Sequence, residues 1–213
     1  MISKVLLVTA ALGALSLGGA ANAATNLIRN GNFDNAVGSS WAAVANDANW
    51  TNANEGTYEV GKSSVYGLAC FTTKCQNLEV NGNLLGSVSQ TFTVTDTTKA
   101  YNLTWAYGGR DGGGLQGVNV ILNGKTIATD YSNGTKADAV WTVSTFVVKS
   151  PSATETLTFQ AIDRGGSPTY GDEITGLSFS AVPEPATWAL MMIGFGGLGA
   201  ALRSRRKLVP LAA

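Results

Sequence analysis

The chain has 213 residues, of which 45% are hydrophobic and only 13% are charged, and its formal net charge is zero. Basic residues concentrate near the C-terminus, so the central part is mildly acidic and lacks a basic stripe, which argues against nucleic acid as a partner. Histidine is absent, which excludes Ser-His-Asp triads, Cys-His dyads and His-ligated zinc or copper sites.

Residues 1–23 have the pattern of a secretory signal peptide. Lys4 supplies the positive start and residues 5–17 are apolar. Ala21 and Ala23 then give small residues at the spacing of a cleavage site, which predicts a mature chain beginning at Ala24. The alternative is a retained membrane anchor, for which the apolar run is short.

Residues 24–181 are predicted to form one antiparallel β-sandwich. Apolar and polar residues alternate with period two, the turns are rich in Gly, Asn and Asp, and no segment has a sustained helical repeat. Asn123-Gly124 predicts a two-residue hairpin turn. Eight to ten strands are expected, drawn from residues 26–33, pieces of 58–70, 87–95, 101–107, 118–122, 125–131, 140–148, 156–162 and 174–180.

Two aromatic groups are distinguished by their neighbours. Trp41 and Trp50 lie in a polar stretch rich in Asn and Ala, and are predicted to be exposed platforms for stacking against a ligand. Trp105 and Tyr107 lie on the apolar side of their strand and are predicted to be core residues.

Cys70 and Cys75 are the two cysteines and enclose four residues. An exported chain meets an oxidising compartment, so a disulfide is predicted. Closing so short a loop contributes about 2 kcal/mol on the chain-entropy model. A lone pair of cysteines is a poor metal site.

Residues 108–114 form a glycine-rich loop. The loop lacks the Gly-Lys-Ser/Thr of a phosphate-binding loop and lies between two strands, so it is predicted to be a loop at one end of the sandwich. Arg110 and Asp111 would then be exposed there, at the rim of a ligand site.

Residues 182–207 combine three features in a fixed order. Pro183-Glu184-Pro185 precede an uncharged apolar run over residues 186–202, and a basic cluster follows. Seventeen helical residues span roughly 25 Å, the short end of what crosses a bilayer, so a single transmembrane helix is predicted. The basic residues should remain cytoplasmic, which places the sandwich outside. They are Arg203, Arg205, Arg206 and Lys207; a tail over residues 208–213 follows.

This C-terminal segment resembles the PEP-CTERM sorting signal in its PEPxxWA form. The matching positions are Pro183, Glu184, Pro185, Trp188 and Ala189. The resemblance implies export, transient anchoring in the inner membrane, and processing by an exosortase-type peptidase. The product would reach the cell surface or exopolysaccharide matrix of a Gram-negative bacterium. The tail departs from the pattern, and an ordinary one-pass anchor is the alternative.

The central domain is similar to galactose-binding-like jelly rolls, which include many carbohydrate-binding modules. The similarity rests on residues 26–34, on 86–92 followed by 101–105, and on 170–174; Glu173 and Gly176 break the expected alternation in the last. It implies a jelly roll and, if the first and last strands pair, a structural calcium ion near Asp34 and Asp172.

The resulting hypothesis is an exported, non-catalytic β-sandwich that associates with glycan, in particular exopolysaccharide. A purely structural matrix protein is one alternative. A carboxylate-based glycoside hydrolase using Asp111 and Asp163 is another, because that chemistry needs no histidine. An ice-binding protein is the third, suggested by a row of Thr91, Thr93 and Thr95, although outward threonines are ordinary in strands.

Overall fold

A computed structural model of the chain describes residues 24–34, 40–54, 56–183, 191–199 and 203. The predicted signal peptide, with Ala21 and Ala23, and the predicted tail over residues 208–213 lie outside these residues.

Eleven strands and one short 3-10 helix form the described part of the domain. The helix covers Ser63–Tyr66. The strands are β1 (Trp41–Ala45), β2 (Thr51–Asn52), β3 (Thr57–Lys62), β4 (Gln76–Glu79), β5 (Ser87–Thr93), β6 (Tyr101–Gly108), β7 (Gln116–Leu122), β8 (Lys125–Ser132), β9 (Thr142–Val148), β10 (Thr154–Ala161) and β11 (Glu173–Ala181).

The strands form two antiparallel sheets. One has the order β1-β3-β4-β11-β6-β9 and the other β2-β5-β10-β7-β8. Strands β4 to β11 alone give β4-β11-β6-β9 facing β5-β10-β7-β8, which is the eight-strand order of a jelly roll. The predicted antiparallel β-sandwich is therefore confirmed for the described residues.

The core lies between the two sheets and follows the predicted alternation. On β5, Val88, Gln90 and Phe92 are buried while the residues between them are more exposed. Trp105 and Tyr107 are buried, as predicted. The predicted turn at Asn123-Gly124 joins β7 to β8, with both residues at positive φ.

The N-terminal segment departs from the prediction of a strand over residues 26–33. It follows β11, since Leu27 N–H donates to the Phe179 carbonyl at 2.9 Å. The Asn26 side chain occupies further β11 backbone groups, accepting from Phe179 N–H at 2.9 Å. Asn30 and Phe33 then adopt positive φ angles of 48° and 53°. Side-chain hydrogen bonds and a turn thus replace the backbone hydrogen bonds of a regular strand pair.

A segment between β3 and β4 covers the outer face of the six-stranded sheet. It contains the 3-10 helix and the predicted disulfide between Cys70 and Cys75, which is present. Tyr66 and Leu68 from this segment form a second, smaller apolar cluster with Ala139. The segment therefore packs against part of this sheet face.

Near the C-terminus, residues 191–199 are helical. Among the described residues, no helix is both long and apolar enough to span a membrane. The predicted transmembrane helix over residues 186–202 lies partly outside those residues and stays a prediction.

Candidate ligand site at the loop end of the sandwich

Three loops meet at one end of the sandwich: those joining β4 to β5, β6 to β7, and β10 to β11. Gln116, at the start of β7, ties two of them together. Its Oε1 accepts the N–H groups of Arg110 at 2.9 Å and Asp172 at 3.1 Å, and its Nε2 donates to the Arg110 carbonyl at 2.8 Å. Asn81 Nδ2 reaches the Tyr170 carbonyl at 3.4 Å and so brings in the third loop.

This arrangement requires a glycine at position 171. Gly171 has φ 120°, and a Cβ there would lie 2.0 Å from Gln116 Oε1. Any side chain would displace the Gln116 amide and with it the bonds to Arg110 and Asp172. The glycine therefore allows the β10–β11 loop to pack closely against the Gln116 side chain.

The three loops border a small, shallow cavity that is partly open to solvent. We call it the loop-end cavity. It is lined by Asn81, Leu85, Leu115, Gln116, Ile162, Asp163, Arg164, Gly166, Ser167, Pro168 and Asp172.

Two buried acceptor oxygens belong to this lining. Asn81 and Asp172 are each only 1% exposed. Within the described part of the chain, neither Asn81 Oδ1 nor Asp172 Oδ2 has a hydrogen-bond partner. A buried acceptor without a donor costs about 1–3 kcal/mol, and such groups are uncommon in proteins.

Asp172 is a carboxylate with an altered proton affinity. Burial raises its pKa to about 6, while the Tyr107 hydroxyl, the Gly117 N–H and the Arg164 guanidinium act in the opposite direction. The hydroxyl of Tyr107 donates to Asp172 Oδ1 at 2.8 Å. At neutral pH the group is mainly ionised, so Oδ2 is a strong acceptor.

Arg164 is the cation of the cavity, and its position is fixed. Its Nη1 donates to the carbonyls of Gln116 at 2.7 Å and Ser132 at 3.1 Å. The guanidinium lies 4.5 Å from the centre of the Tyr131 ring. Tyr131 is 61% exposed, so this contact holds an aromatic ring beside the cavity with much of its surface open.

Next to the cavity, three carboxyl side chains form a row across the outer face of the six-stranded sheet. Glu79 on β4 lies opposite Glu59 on β3 and opposite Glu173 on β11. Leu78 and Ile174, one position away, face the core, so the three carboxyls project from the other side. We call Glu59, Glu79 and Glu173 the carboxyl row.

Arg110 balances one charge of the carboxyl row. Its Nη1 lies 2.8 and 3.0 Å from the two carboxylate oxygens of Glu79. Its guanidinium also lies 3.9 Å from the Tyr170 ring centre and 5.0 Å from that of Tyr66. Arg110 is thus at the predicted end of the sandwich, but the prediction that it is exposed is wrong, because its side chain is only 17% exposed. It is also not part of the cavity lining.

Protonation lowers the remaining negative charge of the carboxyl row. Burial raises the pKa of Glu79 to about 8, against the effect of Arg110 and of the Gly171 N–H. Burial and the neighbouring Glu79 raise the pKa of Glu173 well above its ordinary value. Glu173 accepts from Asn77 Nδ2. Within the described residues, no cation lies as close to it as Arg110 does to Glu79. We therefore expect Glu173 to keep its proton at neutral pH.

The two tryptophans that were predicted to be exposed stacking platforms differ in their exposure. Trp41, on the edge strand β1, is 53% exposed, although it is remote in the sheet order from β11. The prediction for Trp50 is wrong, because this residue is fully buried. Its ring packs on Phe33 at 5.2 Å between centroids, and its indole N–H donates to the Asn30 carbonyl at 3.2 Å.

The predicted acidic residues are distributed over several places. Asp111 is exposed and is not among the cavity residues, whereas Asp163 is exposed and lines the cavity. Asp34 is exposed after a turn that its own N–H closes on Asn30 Oδ1. The described residues contain no group of three or more acidic, cysteine or histidine side chains that could hold a metal ion. Calcium near Asp34 and Asp172 stays a prediction.

The threonine row is exposed on the outer face of the five-stranded sheet. Thr91, Thr93 and Thr95 all face solvent. Thr91 lies 2.9 Å from the hydroxyl of Thr156 on β10, so the row continues across one neighbouring strand. No charge separates these hydroxyls, and they form a polar face distinct from the loop-end cavity.

Sequence reasoning missed Asn81, Gln116 and Arg164. Each lies beside a strand end, where single polar residues are common and periodicity gives no signal. Two sequence features could have pointed to this region. One is the glycine-rich loop directly before Gln116. The other is Glu173, which interrupts the apolar alternation and belongs to the carboxyl row.

The C-terminal segment was compared with protein-family models. Residues 181–207 match the model of the PEP-CTERM protein-sorting motif. The chain carries a PEP-CTERM sorting motif. Such a motif implies an exported protein that is processed by exosortase, a membrane protease.

Most residues of the PEP-CTERM motif lie outside the described part. Pro183 is exposed, and Arg203 is helical. The others fall among residues 184–190 and 204–213: they are Glu184, Pro185, Trp188, Ala189, Arg205, Arg206 and Lys207.

Comparison with solved structures found several similar β-proteins. A Stig cyclase from Fischerella sp. TAU is 14% identical with a TM-score of 0.48, over 76% of this chain and 99% of that one. TmCBM61, in complex with β-1,4-galactotriose, is 14% identical with a TM-score of 0.42, over 75% and 99%. A family 35 carbohydrate-binding module from Clostridium thermocellum is 14% identical with a TM-score of 0.38, over 63% and 95%. A search of curated proteins gave no match.

Proposed function

We propose that this exported protein binds polysaccharide in the loop-end cavity and does not cleave it. The observation that carries the proposal is a polar surface cavity that combines exposed Asp163 with Arg164 and exposed Leu115. Sugar hydroxyls both donate and accept hydrogen bonds, so they can exchange bonds to water for bonds to such side chains.

Exposed apolar side chains around the cavity support the same function. Tyr131 stacks on Arg164, a cavity residue, and is largely exposed. Leu115 lines the cavity and is also exposed. Sugar rings present C–H faces that pack on surfaces of this type. A shallow and partly wet site gains little after ordering costs, so each sugar unit should bind more weakly than about micromolar.

The export route supports polysaccharide as the ligand. A protein that carries the PEP-CTERM motif reaches the outside of the inner membrane, where exopolysaccharide is an abundant polymer. Weak contacts repeated along a polymer give useful retention through avidity. A binding protein of modest affinity is suited to that setting.

A second candidate, glycoside hydrolysis, is favoured by one observation. Asp163 and Asp172 line the same cavity, and burial raises the pKa of Asp172 to about 6, a direction expected of a general acid. Asp172, however, accepts from Tyr107 through Oδ1, and its Oδ2 is buried, so its carboxyl group is poorly placed to deliver a proton to a polymer.

The test is titration of the full-length chain with exopolysaccharide purified from the producing bacterium. We expect saturable binding in a calorimeter and an unchanged polymer length distribution after prolonged incubation. Absence of binding at millimolar sugar would favour the purely structural alternative. Shortening of the polymer that is abolished by Asp163→Asn would instead favour the hydrolase.

A further inference from the structure

The edge strands of the two sheets differ in how well they are protected from pairing with another chain. Among the described residues, the edges are β1 and β9 of one sheet and β2 and β8 of the other. Strands β2 and β1 have only two and five residues. Strand β8 carries Lys125 and Asp130, and its pairing with β7 is irregular. Asp130 also points inward, since it accepts from the Trp105 indole N–H at 2.7 Å. Short length, bulges and inward-pointing charges are the features that protect an edge.

Strand β9 lacks these protections. It has seven residues, Thr142–Val148, and none of them is charged, glycine or proline. It pairs with β6 over its whole length without an irregularity. Within the described part of the chain, no strand pairs with its other side. A regular, uncharged edge of this length is a template for a further strand.

The side chains of β9 are apolar on both faces of the sheet and incompletely covered. On the outer face, Val143 and Val147 are exposed. On the core face, Phe146 lies opposite Leu103 of β6, but Phe146 is 36% exposed whereas Leu103 is fully buried. The apolar core is therefore open along this edge. A strand added beside β9 would remove apolar surface of Phe146 from water.

The sequence of β9 is complementary to itself. Val143, Thr145 and Val147 share the outer face and give the same order of residue types in both directions. In an antiparallel pair centred on Thr145, Val143 of each copy lies opposite Val147 of the other. On the core face, the same register sets Ser144 opposite Phe146, a small side chain against a large one. Cross-strand pairs of β-branched and aromatic residues stabilise antiparallel sheets.

The charges that flank β9 favour the same partner and direction. Residues 139–148 are uncharged, Asp138 precedes them and Lys149 follows them. Antiparallel pairing brings Lys149 of each copy to the end that carries Asp138 of the other copy, whereas parallel pairing would bring like charges together. A second copy of this chain is therefore the occupant that fits the edge.

We infer that β9 is an interface between two copies of this chain, in which the two β9 strands pair antiparallel about a two-fold axis at Thr145 and join the two six-stranded sheets. Each copy uses the same strand, so the interface closes at two copies. None of the residues that line the loop-end cavity lies on β9. The dimer would consequently present two accessible cavities.

The experiment measures association of the full-length chain in mild detergent by analytical ultracentrifugation. We expect a reversible dimer with a Kd on the order of 10–100 µM, because one strand pair is smaller than a standard interface. Thr145→Lys should weaken the dimer about fivefold or more, because two like charges would lie opposite each other at the axis. Thr145→Glu should do the same. An equimolar mixture of these two variants should associate again, because opposite charges then meet.

Thr91→Lys is the matched control. Thr145 and Thr91 are both exposed, and each hydroxyl contacts a threonine hydroxyl of the next strand, that of Thr104 at 3.2 Å and that of Thr156 at 2.9 Å, respectively. Thr91 lies on β5, which is not an edge strand. Thr91→Lys should therefore leave the dimer unchanged. Thermal melting shows whether all three variants are folded.

Three results would overturn the inference. The first is a chain that stays monomeric at millimolar concentration. The second is a dimer that Thr145→Lys leaves unchanged, because association would then use another surface. The third is a mixture of Thr145→Lys and Thr145→Glu that fails to associate, which would exclude the antiparallel register centred on Thr145. None of these results depends on polysaccharide binding, so the inference and the proposed function are tested separately.

Discussion

At the scale of single residues, the carboxyl row places two buried ionisable groups side by side. Glu79 and Glu173 are almost completely buried, and Arg110 compensates one of them. Burying a second charge beside the first would be far more costly than keeping a proton. Both Glu79 and Glu173 are therefore expected to take up protons as the pH falls from about 8, with Arg110 hydrogen-bonded to Glu79.

This protonation predicts the pH dependence of stability. The pKa values of Glu79 and Glu173 are raised, so the folded state holds more protons than the unfolded state above the ordinary glutamate pKa of about 4.5. The free energy of unfolding should accordingly fall as the pH rises from about 5 to 8, by at most about 1.4 kcal/mol per pH unit for each proton held.

The substitution Glu173→Gln tests the assignment. A neutral amide can still accept from Asn77 and no longer titrates, so denaturant unfolding at several pH values should show a flatter decline than in the unchanged protein. Asp138→Asn is the control. A slope that Glu173→Gln leaves unchanged would mean that Glu173 is ionised in the folded state.

The two tryptophans of the N-terminal region give a second residue-scale prediction. Trp50 is fully buried and Trp41 is 53% exposed. Trp50→Ala should therefore lower the free energy of unfolding by roughly 3–5 kcal/mol, and Trp41→Ala by no more than about 0.5 kcal/mol. Urea titration of both variants measures this. Equal losses would contradict the placement of Trp50 in the core.

At the scale of elements, the segment between β3 and β4 depends on its disulfide. Cys70 and Cys75 close a short loop that precedes β4 and covers part of the outer sheet face. Replacing both cysteines by serine should reduce the free energy of unfolding by about 2 kcal/mol. Unfolding at matched pH, with and without reductant, measures the loss. A reductant effect that persists in the double variant would rule out the disulfide as its cause.

Sequence reasoning located regular strands better than short or irregular ones. Strands such as β5 and β6 bury alternate residues, and the period-two pattern predicts them. Strand β4 buries all four of its residues, because the segment above it covers its outer face, and periodicity cannot reveal such a cover. The strand predicted over residues 26–33 does not form, because the Asn26 side chain takes a backbone hydrogen bond that a paired strand would make.

The candidate site was less accessible from sequence for a physical reason. Asp172 could be selected because it precedes the last strand, and Arg110 because it lies in a glycine-rich loop. The position of Asn81 beside Asp172 depends on strand pairing between β4 and β11, where Leu78 faces Ile174. Such proximity results from the tertiary fold, and no local pattern encodes it.

At the scale of the whole molecule, the PEP-CTERM motif and the sandwich have separate tasks. The motif implies export and processing by exosortase, and the sandwich carries the proposed ligand site. Replacing Pro183-Glu184-Pro185 by three alanines should leave the full-length precursor in the inner membrane, while the ligand site stays intact. Membrane fractionation measures the retention. Undiminished release of the domain would contradict a role of these residues in processing.

The central claim is that polysaccharide binds in the loop-end cavity, and amide chemical-shift mapping tests it most directly. Exopolysaccharide purified from the producing bacterium is added to the isotope-labelled full-length chain, and the perturbed amides are placed on the structure. The account predicts the largest shifts around Asn81, Gln116 and Asp172, with little change along β5 and β10. Shifts concentrated instead on the threonine face, at Thr91 and Thr156, would contradict the claim.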